Sequence, residues 1–158
     1  MDISSSQRRT DHTLMREIYR AYLDELSAIV DYTHAAITLA PRFHTAASLL
    51  TEISEDEMHH FAALGELLRD HGASPAVDLR LRQMPIRLEG KSDAEAVSLV
   101  KEILSESLAD EQQARENYKR LAAWSRSVDM QRVLTAIAAD ETRHAEAISA
   151  ALARLERS

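Results

Sequence analysis

The sequence predicts an all-α protein, a four-helix bundle with one long crossover between its second and third helices. Three observations carry that expectation. Glycine and proline are scarce, three of each in 158 residues, while strong helix formers abound. Apolar side chains recur at alternating spacings of three and four along four long segments. Between the second and third segments lies "ASPAVDLRLRQMPIRLEGK" (73–91), with two prolines, a glycine and no sustained stripe.

Taken in order, residues 1–10 read as a flexible polar N-terminal tail and residues 11–156 as a single bundle domain. The first helix is expected from near Asp11 to near Leu39, stopped by Pro41. The second starts at His44 or Thr45 and closes at Gly72, a residue suited to capping a C-terminus. A connection of about 20 residues is long for a compact domain. Here the architecture requires it, because the crossover must travel the length of the bundle. The third helix opens at Ser92, whose "SDAE" is a capping box, and ends near Trp124. The fourth starts around "SVD" (127–129) and runs almost to the C-terminus.

Composition removes several function classes. With no cysteine there is no disulfide, no thiol chemistry and no thiolate-held iron centre. A formal charge of −7 without a basic patch argues against nucleic acid. No apolar run approaches the roughly 20 residues of a membrane span. The polar start "MDISSSQRRTDHT" lacks the apolar stretch of a signal peptide, so a soluble, cytoplasmic chain is expected.

The seams of the four helices are where chemistry intrudes. The second runs Leu50, Ile53, Glu57, His60, Leu64, Leu67, and the fourth Met130, Leu134, Ile137, Glu141, His144, Ile148, Ala151. The first runs Ile18, Tyr22, Glu25, Ile29, Tyr32, Ala36, and the third Val100, Leu104, Ser107, Glu111, Ala114, Tyr118, Leu121. Each seam holds one glutamate, and the second and fourth add a histidine three residues later. The halves match: Glu25 and Glu111 stand seven residues before Tyr32 and Tyr118, and the two glutamate pairs repeat at offsets of 86 and 84. This is the pattern of a duplicated helical hairpin.

A carboxylate in an apolar seam costs several kcal/mol unless something compensates it. Glu and His at i and i+3 face the same way, about 4.5 Å apart along the axis, and can reach one metal ion. Glu25, Glu57, His60, Glu111, Glu141 and His144 are therefore candidate metal ligands. Four carboxylates and two imidazoles suit two divalent first-row ions, iron or manganese more than zinc. The bland reading is a set of buried polar residues that satisfy one another. Tyr32 and Tyr118 are either core aromatics or hydrogen-bond donors to a ligand carboxylate across the bundle. Glu52 and Asp56 read as an ordinary solvated face, with an acidic entry path for metal ions as the alternative, and His34, His44, His59 and His71 as surface or interface histidines.

At these residues the chain resembles the ferritin-like superfamily, in particular bacterioferritins and single-domain rubrerythrin relatives. "DELSAIVDY" (24–32), "DEMHH" (56–60), "DEQQARENY" (110–118) and "DETRH" (140–144) resemble the motifs of their four helices, and the likeness spans residues 12–155. It implies a ferritin-like bundle with two iron ions (manganese or zinc as alternatives) on the six residues above, Glu57 and Glu141 bridging. Rubrerythrins carry a further carboxylate three residues after the third-helix glutamate; Ala114 stands there in this chain, closer to the symmetric bacterioferritin arrangement. Met58 holds the place of the bacterioferritin haem-ligating methionine, but it lies one residue off the seam, reads as interface packing, and no haem is expected. Only 14 residues follow His144, leaving no fifth helix, so a homodimer or small homo-oligomer is expected rather than a closed cage. The implied function is a di-iron oxidoreductase of ferroxidase or peroxidase type, reacting Fe(II) with hydrogen peroxide or dioxygen, with an unidentified electron donor. The alternative is an iron, manganese or zinc binding or storage protein without turnover.

Overall fold

A computed structural model describes residues 5–77 and 86–157, with side chains from residue 11 onward. Four helices account for almost all of them: α1 (Ser5–Leu39), α2 (His44–Asp70), α3 (Asp93–Trp124) and α4 (Val128–Glu156). The expected all-α bundle is what the chain forms.

Helix ends follow local chemistry. α3 begins at the expected capping box: Ser92 accepts from the Glu95 amide, and the Glu95 carboxylate accepts from the Ser92 amide at 2.8 Å. Ser127 caps α4 through the Met130 amide. α2 ends at Asp70, and Gly72 takes the left-handed conformation (φ 76°) so that the Ala73 amide can reach back to the Leu68 carbonyl at 2.9 Å. One boundary differs. α1 begins at Ser5, inside the stretch expected to be a tail, because no glycine or proline between Ser5 and Asp11 interrupts the helix. Residues 1–4 of that tail lie outside the described residues.

The core comes in two blocks. One contains Leu14, Ile18 and Tyr22 of α1, Leu64 and Leu68 of α2, Leu121 of α3 and Leu134 of α4. The other contains Leu39 of α1, Leu50 and Ile53 of α2, Val100 and Leu104 of α3 and Ile148 of α4. Early α1 thus shares a block with late α2 and late α3, so α2 and α3 point the same way. The crossover must therefore run from one end of the bundle to the other. It is pinned at its start by Tyr19 Oη and Tyr22 Oη, which donate to the Ala76 and Pro75 carbonyls at 2.6 and 3.0 Å. Ile86 and Leu88 pack on the second block at its far end, and residues 78–85 of the crossover lie outside the described residues. Packing is densest within the α1/α2 and α3/α4 hairpins and sparser between them. Gly65 lets α2 approach α1 closely: a Cβ there would stand 3.2 Å from the Tyr22 ring. Between the two apolar blocks lies a polar layer.

Candidate metal centre

The polar layer is made of the residues the seams place there. Glu25, Glu57, His60, Glu111, Glu141 and His144 are all buried, none more than 5 % exposed. Their atoms form two groups. Glu25, Glu57, His60 and Glu141 offer one potential ligand atom each within 4.8 Å of one another, and so do Glu57, Glu111, Glu141 and His144. Glu57 and Glu141 belong to both. His60 Nδ1 lies 2.7 Å from Glu57 and 3.8 Å from Glu25; His144 Nδ1 lies 3.2 Å from Glu111 and 3.6 Å from Glu57.

Both histidine rings are aimed by residues from the opposite hairpin. His60 Nε2 on α2 meets Asp140 of α4 at 3.1 Å, and His144 Nε2 on α4 meets Asp56 of α2 at 3.1 Å. An outer Nε2–H donated to a carboxylate leaves Nδ1 facing the centre, the orientation a metal-binding imidazole needs. The tyrosines cross over in the same way: Tyr32 of α1 donates to Glu111 of α3, and Tyr118 of α3 donates to Glu25 of α1. Asp56, though partly solvated, thus braces His144, and Asp140 braces His60 in the same way. The sequence did carry a signal for them. Each seam glutamate is preceded by an aspartate, at Asp24, Asp56, Asp110 and Asp140. Of the other histidines, His44, His59 and His71 are exposed, as is Met58 at 49 %, while half-buried His34 lines a cavity beside the seam glutamates with its Nε2 buried and without a hydrogen-bond partner.

Electrostatics show how the layer is compensated by protons alone. Burial holds Glu25 well above the ordinary carboxylate range, with His60 pulling down and Glu57 adding to the rise. Burial likewise pushes Glu111 up to about 8, against the lowering contact with His144. For Glu57 and Glu141 burial acts upward too, but both histidines reach them and outweigh it; Glu57 falls to about 2. Burial opposes charge on the imidazoles, yet the surrounding carboxylates win, raising His60 and taking His144 to about 12. Proton uptake by the glutamates nearer α1 and α3, together with imidazolium formation by both histidines, offsets the carboxylate charge of the layer.

The donor set fits divalent ions. Two donors on one first-row ion at about 2.1 Å each stand at most about 4.2 Å apart, so each group is within side-chain adjustment of a filled site. Glu141 Oε1 supports the fit independently. It is buried without a hydrogen-bond partner, although His60 Nδ1 lies 3.2 Å away in an unsuitable direction.

On one side the centre opens. A cavity of about 710 Å³ lies between α1 and α3, and Glu25, Glu57, Glu111 and Glu141 all line it. Ala114 is in its wall. Exposed Asp24, Asp31, Glu106 and Asp110 surround it. Burial raises the Asp110 carboxyl, and repulsion from Glu106 and Asp31 raises it further.

The family profile of ferritin-like domains matches residues 17–158. The chain belongs to the ferritin-like domain family. Its fold is also that of solved structures. The bacterioferritin-related protein of Bacteroides fragilis, described as a dodecameric thioferritin, superposes with a TM-score of 0.73 at 16 % identity, over 92 % of this chain and 88 % of that one. A ferritin-like, diiron-carboxylate protein from Bacillus anthracis str. Ames gives a TM-score of 0.64 at 20 % identity, over 95 % of this ferritin-like chain and 99 % of that one. At these identities the likeness speaks for the fold. No curated protein sequence matches the chain. Among the described residues no helix is long and apolar enough to cross a membrane.

Proposed function

We propose that the protein is a di-iron carboxylate oxidoreductase that oxidises Fe(II) with hydrogen peroxide or dioxygen. The observation that carries this reading is the pair of four-residue donor groups sharing Glu57 and Glu141, a layout for two ions about one pair of bridging carboxylates. In this reading Glu25 with His60, and Glu111 with His144, are the terminal ligands of the two positions. Two Fe(II) ions held there would supply the two electrons that reduce one hydrogen peroxide, with two protons, to two waters.

The chain's own residues set the conditions. Asp140 and Asp56 hold the imidazoles with Nδ1 inward, and Tyr118 and Tyr32 fix the orientation of Glu25 and Glu111. The apolar blocks above and below keep bulk water from the layer along the bundle axis. The open side between α1 and α3 gives a small oxidant its approach. Assembly with copies of itself belongs to the same proposal, a homodimer or small homo-oligomer. Exposed Ile37 and Met58 lie together in a groove between α1 and α2, and the Bacteroides fragilis relative is described as dodecameric.

The test begins with Fe(II) loaded without oxygen, followed by hydrogen peroxide. Two irons should be oxidised per peroxide, faster than free Fe(II) in the same buffer. Glu111→Ala should slow the reaction and keep the helical content. If neither hydrogen peroxide nor dioxygen oxidises the bound iron faster than free iron, the enzyme reading falls. Binding or storage of iron, manganese or zinc without turnover then replaces it.

A further inference from the structure

The two sides of the polar layer are built differently, and the difference bears on how ions reach it. On the side of α2 and α4 the way in is plugged. His60 and His144 are each engaged outward by Asp140 and Asp56 at 3.1 Å, and Arg143 is paired with Asp140 in turn. An ion arriving there would have to break an imidazole–carboxylate contact that also orients a ligand. On the side of α1 and α3 all four seam glutamates face the cavity of about 710 Å³. Glu141, 1 % exposed and with Oε1 unpartnered, lines its floor.

We propose that this cavity is the path by which hydrated divalent cations enter and leave the buried carboxylates, drawn in by Asp24, Asp31, Glu106 and Asp110. The inference rests on the metal-centre reading and adds the route and the residues that govern it. Size permits it. Six water molecules at about 30 Å³ each make a hydration shell of roughly 200 Å³, so an ion can keep its waters until the floor. The walls stay open because alanines, among them Ala21, Ala28 and Ala114, line them. Charge favours it: among the described residues no lysine or arginine lines the cavity, whose wall includes the His34 imidazole, and four carboxylates around it focus a negative potential inward. At the floor Glu141 Oε1 is a buried acceptor with no hydrogen-bond partner, its nearest neighbour of opposite charge being His60 Nδ1 at 3.2 Å.

The experiment mixes the metal-free full-length chain with Co(II) in a stopped-flow instrument and follows the absorption of the bound ion, a readout of loading and not of turnover. Asp31→Asn combined with Asp110→Asn changes two exposed residues, which the fold tolerates. At low ionic strength this variant should load about tenfold more slowly, and the difference should close at high salt, where steering is screened. The final number of Co(II) bound should not change. Gln113→Glu, which adds a negative charge to the cavity lining, should load faster than the parent. Loading of the double variant at the parental rate, with faster loading when Asp140→Asn loosens the histidine side, would overturn the route and leave the metal centre standing. Failure of the parent chain to take up Co(II) at all would overturn the metal centre and the route together.

Discussion

The histidine side and the tyrosine side of the polar layer are assembled from the same duplicated hairpin, yet they do different work. On the histidine side each imidazole is clamped outward by an aspartate of the other hairpin. On the tyrosine side the phenols of Tyr32 and Tyr118 reach across to Glu111 and Glu25, and beyond them the bundle opens into a cavity. One side fixes geometry; the other admits solutes. Glu57 and Glu141 sit between the two and serve both, so damage there should be the most severe.

The largest effect is expected at that centre. Glu57→Ala or Glu141→Ala should abolish binding of both ions together, measured as metal per chain after equilibrium dialysis, because each residue belongs to both donor groups. Retention of two ions in Glu57→Ala would break the assignment of a shared pair.

A smaller effect should come from the histidine side alone. Asp140→Asn leaves every direct donor in place but exchanges the carboxylate that receives His60 Nε2–H for an amide. Metal affinity should fall by about 10- to 100-fold, the usual range for losing such a supporting carboxylate. Asp56→Asn should do the same through His144. Equal affinity in parent and variants would mean that the clamps do not position the rings.

The smallest effect concerns protons. In the metal-free fold His60 and His144 keep protons that the unfolded chain gives up near pH 6.5, and Glu25 and Glu111 keep theirs above the ordinary glutamate range, to about 8 for Glu111. The folded state binds more protons in that window, so stability should fall as pH rises from about 5 through 9. Glu57, held near about 2, acts the other way: its contribution is present above pH 4.5 and lost below it. Melting curves of the metal-free protein should therefore peak at about pH 4.5 to 5. Bound divalent ions replace the protons, so the alkaline decline should flatten in the loaded protein. A decline unchanged by metal would show that protons and ions do not compete for these residues.

Much of this was legible in the sequence because a seam repeats. Periodicity put Glu25, Glu57, His60, Glu111, Glu141 and His144 at core positions, and a buried carboxylate demands a partner, so the layer could be anticipated. Periodicity does not tell which residue of a neighbouring helix stands opposite. Asp56 and Asp140 lie one position off the seam, at 41 % and 31 % side-chain exposure, where a helical wheel shows only an amphipathic border. Their role appears once α2 and α4 are brought together. The cavity was hidden for the same reason, since it is set by the spacing of α1 from α3 and not by either helix alone. The early start of α1 at Ser5 departs from the expected polar tail because "SSQRRT", although polar, contains nothing that breaks a helix.

The crossed pairs carry a consequence for ancestry. Tyr32 answers Glu111 and Tyr118 answers Glu25; Asp56 answers His144 and Asp140 answers His60. Every brace runs from one hairpin to the other, and a lone hairpin has only half a donor set. Two identical hairpins about a twofold axis would satisfy all four braces, so a primitive version could have been a homodimer of a peptide half this length. Such a homodimer must change both halves at once. Joining the two copies in one chain lifts that constraint, and this chain has used the freedom: Ala21 precedes Glu25 by one turn where Ser107 precedes Glu111. Held in one chain, the two donor groups are open to separate tuning by single substitutions, which a symmetric pair of identical hairpins is not.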